Sequence, residues 1–267
     1  MKPGFSIIGC GRVGCALARH LADAGYPPGG FYSRSIASAR RAAMLAGAGK
    51  KAFDHEKEAV ADAGIIFITT PDSVIGDAAE NLAKQGGIQK GTVILHCSGA
   101  LPSTELDCLK SLGAVTGAMH PLQSFASSNM DGNPFSGIMM AVEGTAGGVE
   151  TAKTIVKDLG AVPFEIRTDG KILYHSAAVL ASNYLVALMD AAISLMTQAG
   201  VEQTQAFSIL KPLVFGTLAN IEDSGTIGAL TGPVARGDVK TVERHVAQLR
   251  EKALDILSLY GELGRHT

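Results

Sequence analysis

Phe5-Ser6-Ile7-Ile8-Gly9-Cys10-Gly11-Arg12-Val13-Gly14-Cys15-Ala16-Leu17-Ala18 is the stretch from which the rest of the chain is read. A short apolar run of strand type turns through three glycines at the GxGxxG spacing into an alanine-rich helical pattern, Val13 to Ala24, which stops at Gly25. Gly9 allows the tight turn out of the strand, Gly11 lets the backbone come close to a pyrophosphate, and Gly14 lets helix and strand pack closely. Cys10, Arg12 and Val13 complete the loop, and the free N–H groups of the helix start face the anion. Glycine-rich turns also serve as empty structural turns. The strand before and the helix after this one favour dinucleotide binding.

The second strand reads Gly30-Phe31-Tyr32-Ser33-Arg34-Ser35, and its end lies about twenty residues past the glycines, where an adenosine ribose is read. No acid stands there to hold a ribose 2′-OH. Ser33, Arg34 and Ser35 instead offer hydroxyls and a guanidinium suited to a 2′-phosphate, so the expected cofactor is NADP rather than NAD. The bland alternative for Arg34 is a solvated surface charge. Arg40 and Arg41, on the helical pattern Ser35 to Ala48, either reinforce the phosphate site or form a solvated face.

The 267 residues hold one large domain or two modest ones, and a formal net charge of -2 gives no basic field for nucleic acid. Cys10, Cys15, Cys97 and Cys108 follow neither a metal spacing nor a disulfide framework, as expected of a reduced cytoplasmic protein without a metal. Cys10 and Cys15 read as packing residues. The N-terminus lacks the layout of a signal peptide. Ala177 to Met196 is strongly apolar but interrupted by Asn183 and Asp190, which favours a buried helix over a membrane span.

Further along, Gly64 to Ile68 is an apolar run that ends in Thr69-Thr70-Pro71-Asp72, as a strand buried on both faces would. Ligands of open parallel sheets lie beyond the carboxyl ends of strands, so these residues are expected along a cofactor cleft. Asp72 is better read as a cap for the helix Val74 to Ala83. Two more strand ends, His96-Cys97-Ser98-Gly99 and His120-Pro121-Leu122-Gln123-Ser124-Phe125, each bring a histidine and a hydroxyl to that edge. One such histidine is usually structural; for two, a chemical and a structural reading stand about even. Asn129 to Ser136 reads as a loop, Gly137 to Glu143 as a strand, Gly148 to Leu159 as a helix and Val162 to Ile166 as a final strand of the same sheet.

From Lys171 to Ala199 a helical run without Gly or Pro begins, and a domain boundary is placed before it, giving a nucleotide-binding domain 1–168 and an all-helical domain 169–267. Pro212 is expected to kink or restart the helix Gln203 to Asn220. Thr231 to Asp238 reads as a loop and Val239 to Leu263 as helix in one or two pieces. In the loop, Arg236 is either an anion ligand or the partner of Asp238.

Taken together, Gly9-Cys10-Gly11-Arg12-Val13-Gly14, Thr70-Pro71-Asp72, His96 to Gly99, His120 to Phe125, Lys171 through Tyr174-His175 to Tyr184, and Gly232 to Asp238 resemble a bacterial family of Rossmann-like proteins with a C-terminal domain of unknown function. Its members are described as NADP-dependent oxidoreductases of the 6-phosphogluconate dehydrogenase-like superfamily, similar to pyrroline-5-carboxylate reductase and the 3-hydroxyacid dehydrogenases. The resemblance implies an α/β fold in which an N-terminal Rossmann NAD(P)-binding domain precedes a helical C-terminal domain. It also implies a lysine and an asparagine on the first long helix facing the nicotinamide. Lys171, His175, Ser182 and Asn183 are the polar candidates there, and steps of four and seven hold the first three in one helical stripe. The Lys-to-Asn spacing differs from that of the hydroxyacid dehydrogenases, so the proton-donor role falls to His175, imidazole being the side chain type suited to proton exchange at neutral pH. A packing cluster of polar groups is the alternative.

The expectation is therefore a cytoplasmic NADP-dependent oxidoreductase that passes hydride between nicotinamide and a small carbonyl or imine, with Ser98, His120, His175 and Asn183 converging on one pocket. Thr69, Thr70, Pro71, Ser98 and Gly99 are expected beside the cofactor. Leu185, Leu188, Met189, Ile193, Leu195 and Met196 predict a homodimer joined through the helical domain. The rival is a non-catalytic NADP-binding sensor or scaffold. Neither nucleic acid nor membrane is an expected partner.

Overall fold

The computed structural model of the chain describes residues 1–125 and 132–267. The start of the loop expected over Asn129 to Ser136 lies outside the described residues. The chain divides into two compact units, Met1–Leu180 and Ala181–Thr267; the boundary expected from the sequence was at 168.

The first unit is built on an eight-stranded sheet. In chain order it holds β1 (Phe5–Ile8), α1 (Arg12–Asp23), β2 (Pro28–Tyr32), α2 (Ile36–Leu45), β3 (Ala52–Phe53), α3 (Glu56–Val60), β4 (Ile65–Ile68) and α4 (Ile75–Gln85). There follow β5 (Val93–His96), a 3₁₀ segment Ser103–Leu112, β6 (Val115–Pro121), β7 (Met139–Gly144), α5 (Ala146–Asp158), β8 (Val162–Glu165), a 3₁₀ turn Thr168–Gly170 and α6 (Lys171–Ala181). The strand order is β3-β2-β1-β4-β5-β6-β7-β8. All neighbours run parallel except β6 and β7. β1 and β4 are buried along their whole length, which is why their sequences are unbroken apolar runs rather than alternating ones. One core cluster joins Phe5, Phe31 and Phe67 of the sheet to α1, α2 and α5; a second joins Ile8, Ile66 and Ile68 to α3 and α4.

Register decides which side chains can meet. His96 pairs with Ala118 and Ala118 with Glu143; His120 pairs with Ala141 and Ala141 with Phe164. Paired residues share a face and residues two apart along a strand do as well, so His96, His120, Glu143 and Phe164 all project from one side of the sheet. Ala118 and Ala141, both buried, are the small residues between them.

The second unit contains α7 (Asn183–Gln198), α8 (Gln203–Ala229), α9 (Gly232–Ala235), α10 (Val239–Lys252) and α11 (Leu254–His266). Leu249, Ala253 and Ile256 form its small core.

Several expectations need correction. The run from Lys171 to Ala199 is two helices, because Ser182 leaves helical geometry at φ -121°, ψ -69°. Ser182 and Asn183 therefore lie outside the helix that carries Lys171 and His175. The helix at Asn183 was expected to be buried, yet no residue of α7 is, and Val186 is 70% exposed. Ala191 and Leu195 of α7 do pack against the small core of the second unit. Thr168–Gln198 is long and apolar enough to cross a membrane by length and composition, but Lys171 near its start is buried in an ion pair with Glu143 of the sheet. In α8 the departure from helical geometry falls at Gly225, with φ 70°, and not at Pro212. Asp72 sits in the one-turn segment Asp72–Val74, and no side-chain cap bond is made there or at the start of α4. Gly232–Ala235, read as loop, is a short helix, and Asp238 caps α10 by accepting from the Thr241 N–H at 3.2 Å. The sequence reading also passed over β3, α3 and the long 3₁₀ segment.

Candidate active site

The glycine loop is shaped as a nucleotide cradle requires. Gly9 has φ 95°, and a Cβ there would lie 2.6 Å from the Thr70 nitrogen. A Cβ at Gly14 would collide with the Gly9 carbonyl, whose oxygen also accepts from the Thr69 hydroxyl. At Gly11, by contrast, a Cβ meets nothing within 4 Å, so the surface there is open to a ligand. Gly11 is the N-cap of α1; no side chain caps it and no acid stands in the first turn, which leaves the helix start free for an anion. Cys10 is buried behind the loop with its thiol on the Tyr32 carbonyl, and burial pushes that thiol up to about 12, which suits packing rather than reactivity. Arg12 donates to the Phe125 carbonyl at 3.1 Å. Val13 packs against the first core cluster.

Ser33, Arg34 and Ser35 follow β2 directly, with Ser35 at the N-cap of α2. Arg34 is exposed and has no hydrogen-bond or ion-pair partner among the described residues. At the end of β4 the Thr70 hydroxyl is buried without a hydrogen-bond partner among the described residues, and Pro71 is exposed.

Beyond β5 the chain makes a tightly held turn. His96 accepts the Ser98 N–H at Nδ1 (3.2 Å), so its Nε2 carries the proton and donates to the Pro102 carbonyl (3.2 Å). Burial, followed by the nearby Lys171 charge, holds His96 down to about 4. The Ser98 hydroxyl accepts from the N–H groups of Ala100 and Leu101 at 3.1 and 2.9 Å. Its oxygen shapes the turn that presents Gly99.

At Gly99 the candidate groups gather. A Cβ on Gly99 would lie 2.6 Å from His175 Nδ1 and 2.7 Å from His120 Nε2. The two imidazoles are edge to face at 5.9 Å. His120 Nδ1 is 2.7 Å from the Tyr174 hydroxyl, and Tyr174 in turn stands 5.9 Å from the Phe164 ring. Burial, then Lys171 and His175, holds His120 down to about 4, and burial pushes Tyr174 up to about 12. At neutral pH the cluster at Gly99 therefore holds a neutral His120 and an intact Tyr174 phenol. His175 Nδ1 is buried without a hydrogen-bond partner among the described residues.

One helical turn before Tyr174, Lys171 bonds Glu143 at 3.0 Å, both side chains 1% exposed. Glu143 also accepts from the Ser103 N–H (2.8 Å), the Ser103 hydroxyl (2.7 Å) and the Thr168 hydroxyl (2.9 Å). Burial alone would raise this carboxyl, but Lys171 and the hydroxyls outweigh it and hold it below the usual range. Burial lowers Lys171, against the pull of Glu143.

Of the residues the sequence nominated, Gly99, His120 and His175 come together, with Ser98 supporting the turn and Lys171 beneath. Asn183 opens α7 in the second unit. Sequence reasoning assigned no role to Tyr174 or Glu143. Glu143 carried a signal all the same: an acid at the end of Met139-Met140-Ala141-Val142, a strand buried in the sheet, has to be paired. A separate concavity of about 520 Å³ in the second unit is lined by apolar residues of α10 such as Val242 and Val246 and by Tyr260; none of the nominated residues borders it.

Residues 2–121 match the family model of a Rossmann-like domain, and residues 138–267 match a domain of unknown function, DUF2520, whose match begins at the entry to β7. No curated protein matches the sequence. Among solved structures, the chain is similar to the Bacteroides fragilis protein BF3122, a proposed NADP oxidoreductase, at 21% identity and a TM-score of 0.76, over 99% of this chain and 97% of that one. Protein TM1727 of Thermotoga maritima shares 28% identity with a TM-score of 0.73, over 98% and 95% of the two chains. An imine reductase of Myxococcus stipitatus in complex with NADP+ shares 18% identity with a TM-score of 0.70, over 99% and 93%. The chain thus shares its fold with these structures, a Rossmann-like domain leading into DUF2520.

Proposed function

We propose that this chain, a Rossmann-like domain continued by a DUF2520 domain, is a cytoplasmic NADP-dependent oxidoreductase that reduces or forms a small carbonyl or imine. The observation that carries the reading is the placement of Gly99 against two imidazole nitrogens, at the edge of the sheet where the glycine loop opens. The residues present fit the cofactor: Gly11 is open, the start of α1 is uncapped, and Arg34 stands unpaired among the described residues where a 2′-phosphate would lie. NADPH would supply the hydride.

The chain's own groups handle the substrate heteroatom and the proton. His120 is neutral; with the Tyr174 hydroxyl donating to its Nδ1, its Nε2–H is left to donate to a substrate oxygen or nitrogen. His175 is the proton donor, next to it across Gly99. Lys171, held by Glu143, stays beneath the pocket.

We assign residues 1–168 to the cofactor and 169–267 to substrate and self-association. Exposed Val186, Leu213, Phe215 and Ile227 on α7 and α8 support a homodimer joined through these helices. The test is a panel of small oxo-acids and cyclic imines scored for NADPH oxidation, with His175→Ala as control. NADPH binding with no consumption by any member would favour a cofactor-binding sensor instead.

A further inference from the structure

We propose that Glu143 is the positioning residue of this site, the single carboxylate that sets the spacing between the Gly99 turn and the Tyr174 and His175 face of α6. The inference rests on reading this pocket as the substrate site and names what builds it. Four donors from two separate segments, Ser103 and the start of α6, converge on the two oxygens of a carboxylate held by a third, β7. Ser103 N–H and Lys171 Nζ reach Oε1, and the hydroxyls of Ser103 and Thr168 reach Oε2. Ser103 is four residues past Gly99. Thr168 lies in the turn that starts α6, and Lys171 precedes Tyr174 and His175 by three and four residues, which puts all three on one helical face. Glu143 itself sits on the same sheet face as His120, one row away, with Ala141 and Ala118 completing the square. What the carboxylate fixes at Ser103 and Lys171 it therefore fixes at Gly99, Tyr174 and His175.

A purely stabilising role explains this arrangement less well. Both partners are 1% exposed, and a buried ion pair contributes little net stability that an apolar pair of similar size would not. What an apolar pair cannot do is hold three segments at fixed distances. The Lys171 charge so held also acts on His96, Cys97 and His120, and this favours a neutral His120.

The experiment is nitrogen-15 NMR of the histidine rings in the full-length protein near pH 7, with the His120 signals identified by their loss in His120→Asn. Tyr174→Phe supplies the position of His120 without its partner. In Glu143→Gln, and in the double variant Glu143→Met with Lys171→Met, the His120 Nδ1 resonance is expected to move toward the Tyr174→Phe position, while NADPH affinity holds. Ser103→Ala with Thr168→Val, which removes two hydroxyls and no charge, is expected to move it part of the way and covers the case in which the Glu143 variants do not fold. A His120 resonance at its wild-type position in a folded Glu143 variant overturns the proposal, because the pair is then only structural. The measurement needs no turnover: a silent substrate panel would sink the reductase reading and leave this result standing. Where a substrate is found, kcat in Glu143→Gln should fall on the order of 10²-fold with KM for NADPH unchanged, the effect of a misplacement of about 1 Å.

Discussion

Replacing Gly99 by alanine adds one methyl group where the structure has no room for it. The backbone does not oppose the change, since Gly99 is not among the glycines with positive φ. The obstacle is contact: the new Cβ would stand 2.6 Å from His175 Nδ1 and 2.7 Å from His120 Nε2, where ordinary contact begins near 3.4 Å. One side or the other must withdraw by roughly 0.8 Å. The turn resists, because Ser98, Ala100, Leu101 and Pro102 are tied to His96 and to the Ser98 hydroxyl by four hydrogen bonds. The imidazoles therefore give way, and His120 is drawn from Tyr174. Overpacking of this kind costs about 1–3 kcal/mol, which corresponds to a Tm fall of roughly 2–12 °C. Displacement of both rings should lower turnover on the order of 10²-fold while NADPH affinity, set at the glycine loop, stays near wild type. Calorimetry, NADPH fluorescence titration and steady-state kinetics on one preparation read the three quantities. A Gly99→Ala protein with wild-type turnover and an undisturbed His120 resonance would refute the convergence of the two histidines on Gly99.

Other outcomes follow from the same geometry. Arg34→Ala should weaken NADP binding by about 1.5–3 kcal/mol, the scale of a charge-assisted hydrogen bond, and leave NAD binding almost untouched; paired titrations check it, and equal losses would speak against a 2′-phosphate site. Gly14→Ala should abolish binding of both cofactors, because the methyl group collides with the Gly9 carbonyl; isothermal titration settles this. Acid should destabilise the fold in a defined window. His96 and His120 are held near 4 in the folded state, against about 6.5 when unfolded, so the unfolded chain binds more protons between those values. The stability is whole above about pH 6.5 and is lost progressively down to about pH 4, on the order of 3 kcal/mol for each histidine. Urea titrations at several pH values should show this slope, and His96→Gln should make it shallower. Lastly, sedimentation at micromolar concentration should find a dimer, and a monomer would count against the exposed faces of α7 and α8 as an interface.

Much of the first unit was legible because its signals are local. The glycine spacing after Phe5-Ser6-Ile7-Ile8 and the unbroken apolar runs of β1 and β4 each state their own structure. His120 and His175 were legible as candidates because each is a polar group in an apolar element. Their convergence was expected too, from strand ends on the glycine-loop edge; that Gly99 is the point where they meet was not, since it depends on where α6 lies over the sheet, and no pattern along the chain encodes that. Tyr174 was hidden for a related reason: its partner stands 54 residues away, at the end of β6. The long helix was misread because nothing in Ala181-Ser182-Asn183 is a breaker by composition, yet Ser182 leaves helical geometry. Pro212 shows the converse, a residue that usually disturbs a helix but sits within one whose departure falls at a glycine instead. The surface of α7 shows that apolar composition does not specify what covers it.

The most direct measurement of the central claim is NADPH consumption by a panel of cyclic imines and small oxo-acids, run with wild type and His175→Ala side by side and repeated with NADH. The account predicts that at least one compound is reduced, faster with NADPH than with NADH, and that His175→Ala lowers the rate by about 10²–10⁴-fold with NADPH affinity unchanged. Tight NADPH binding with no consumption by any compound, or a His175→Ala protein that turns over as fast as wild type, would contradict it.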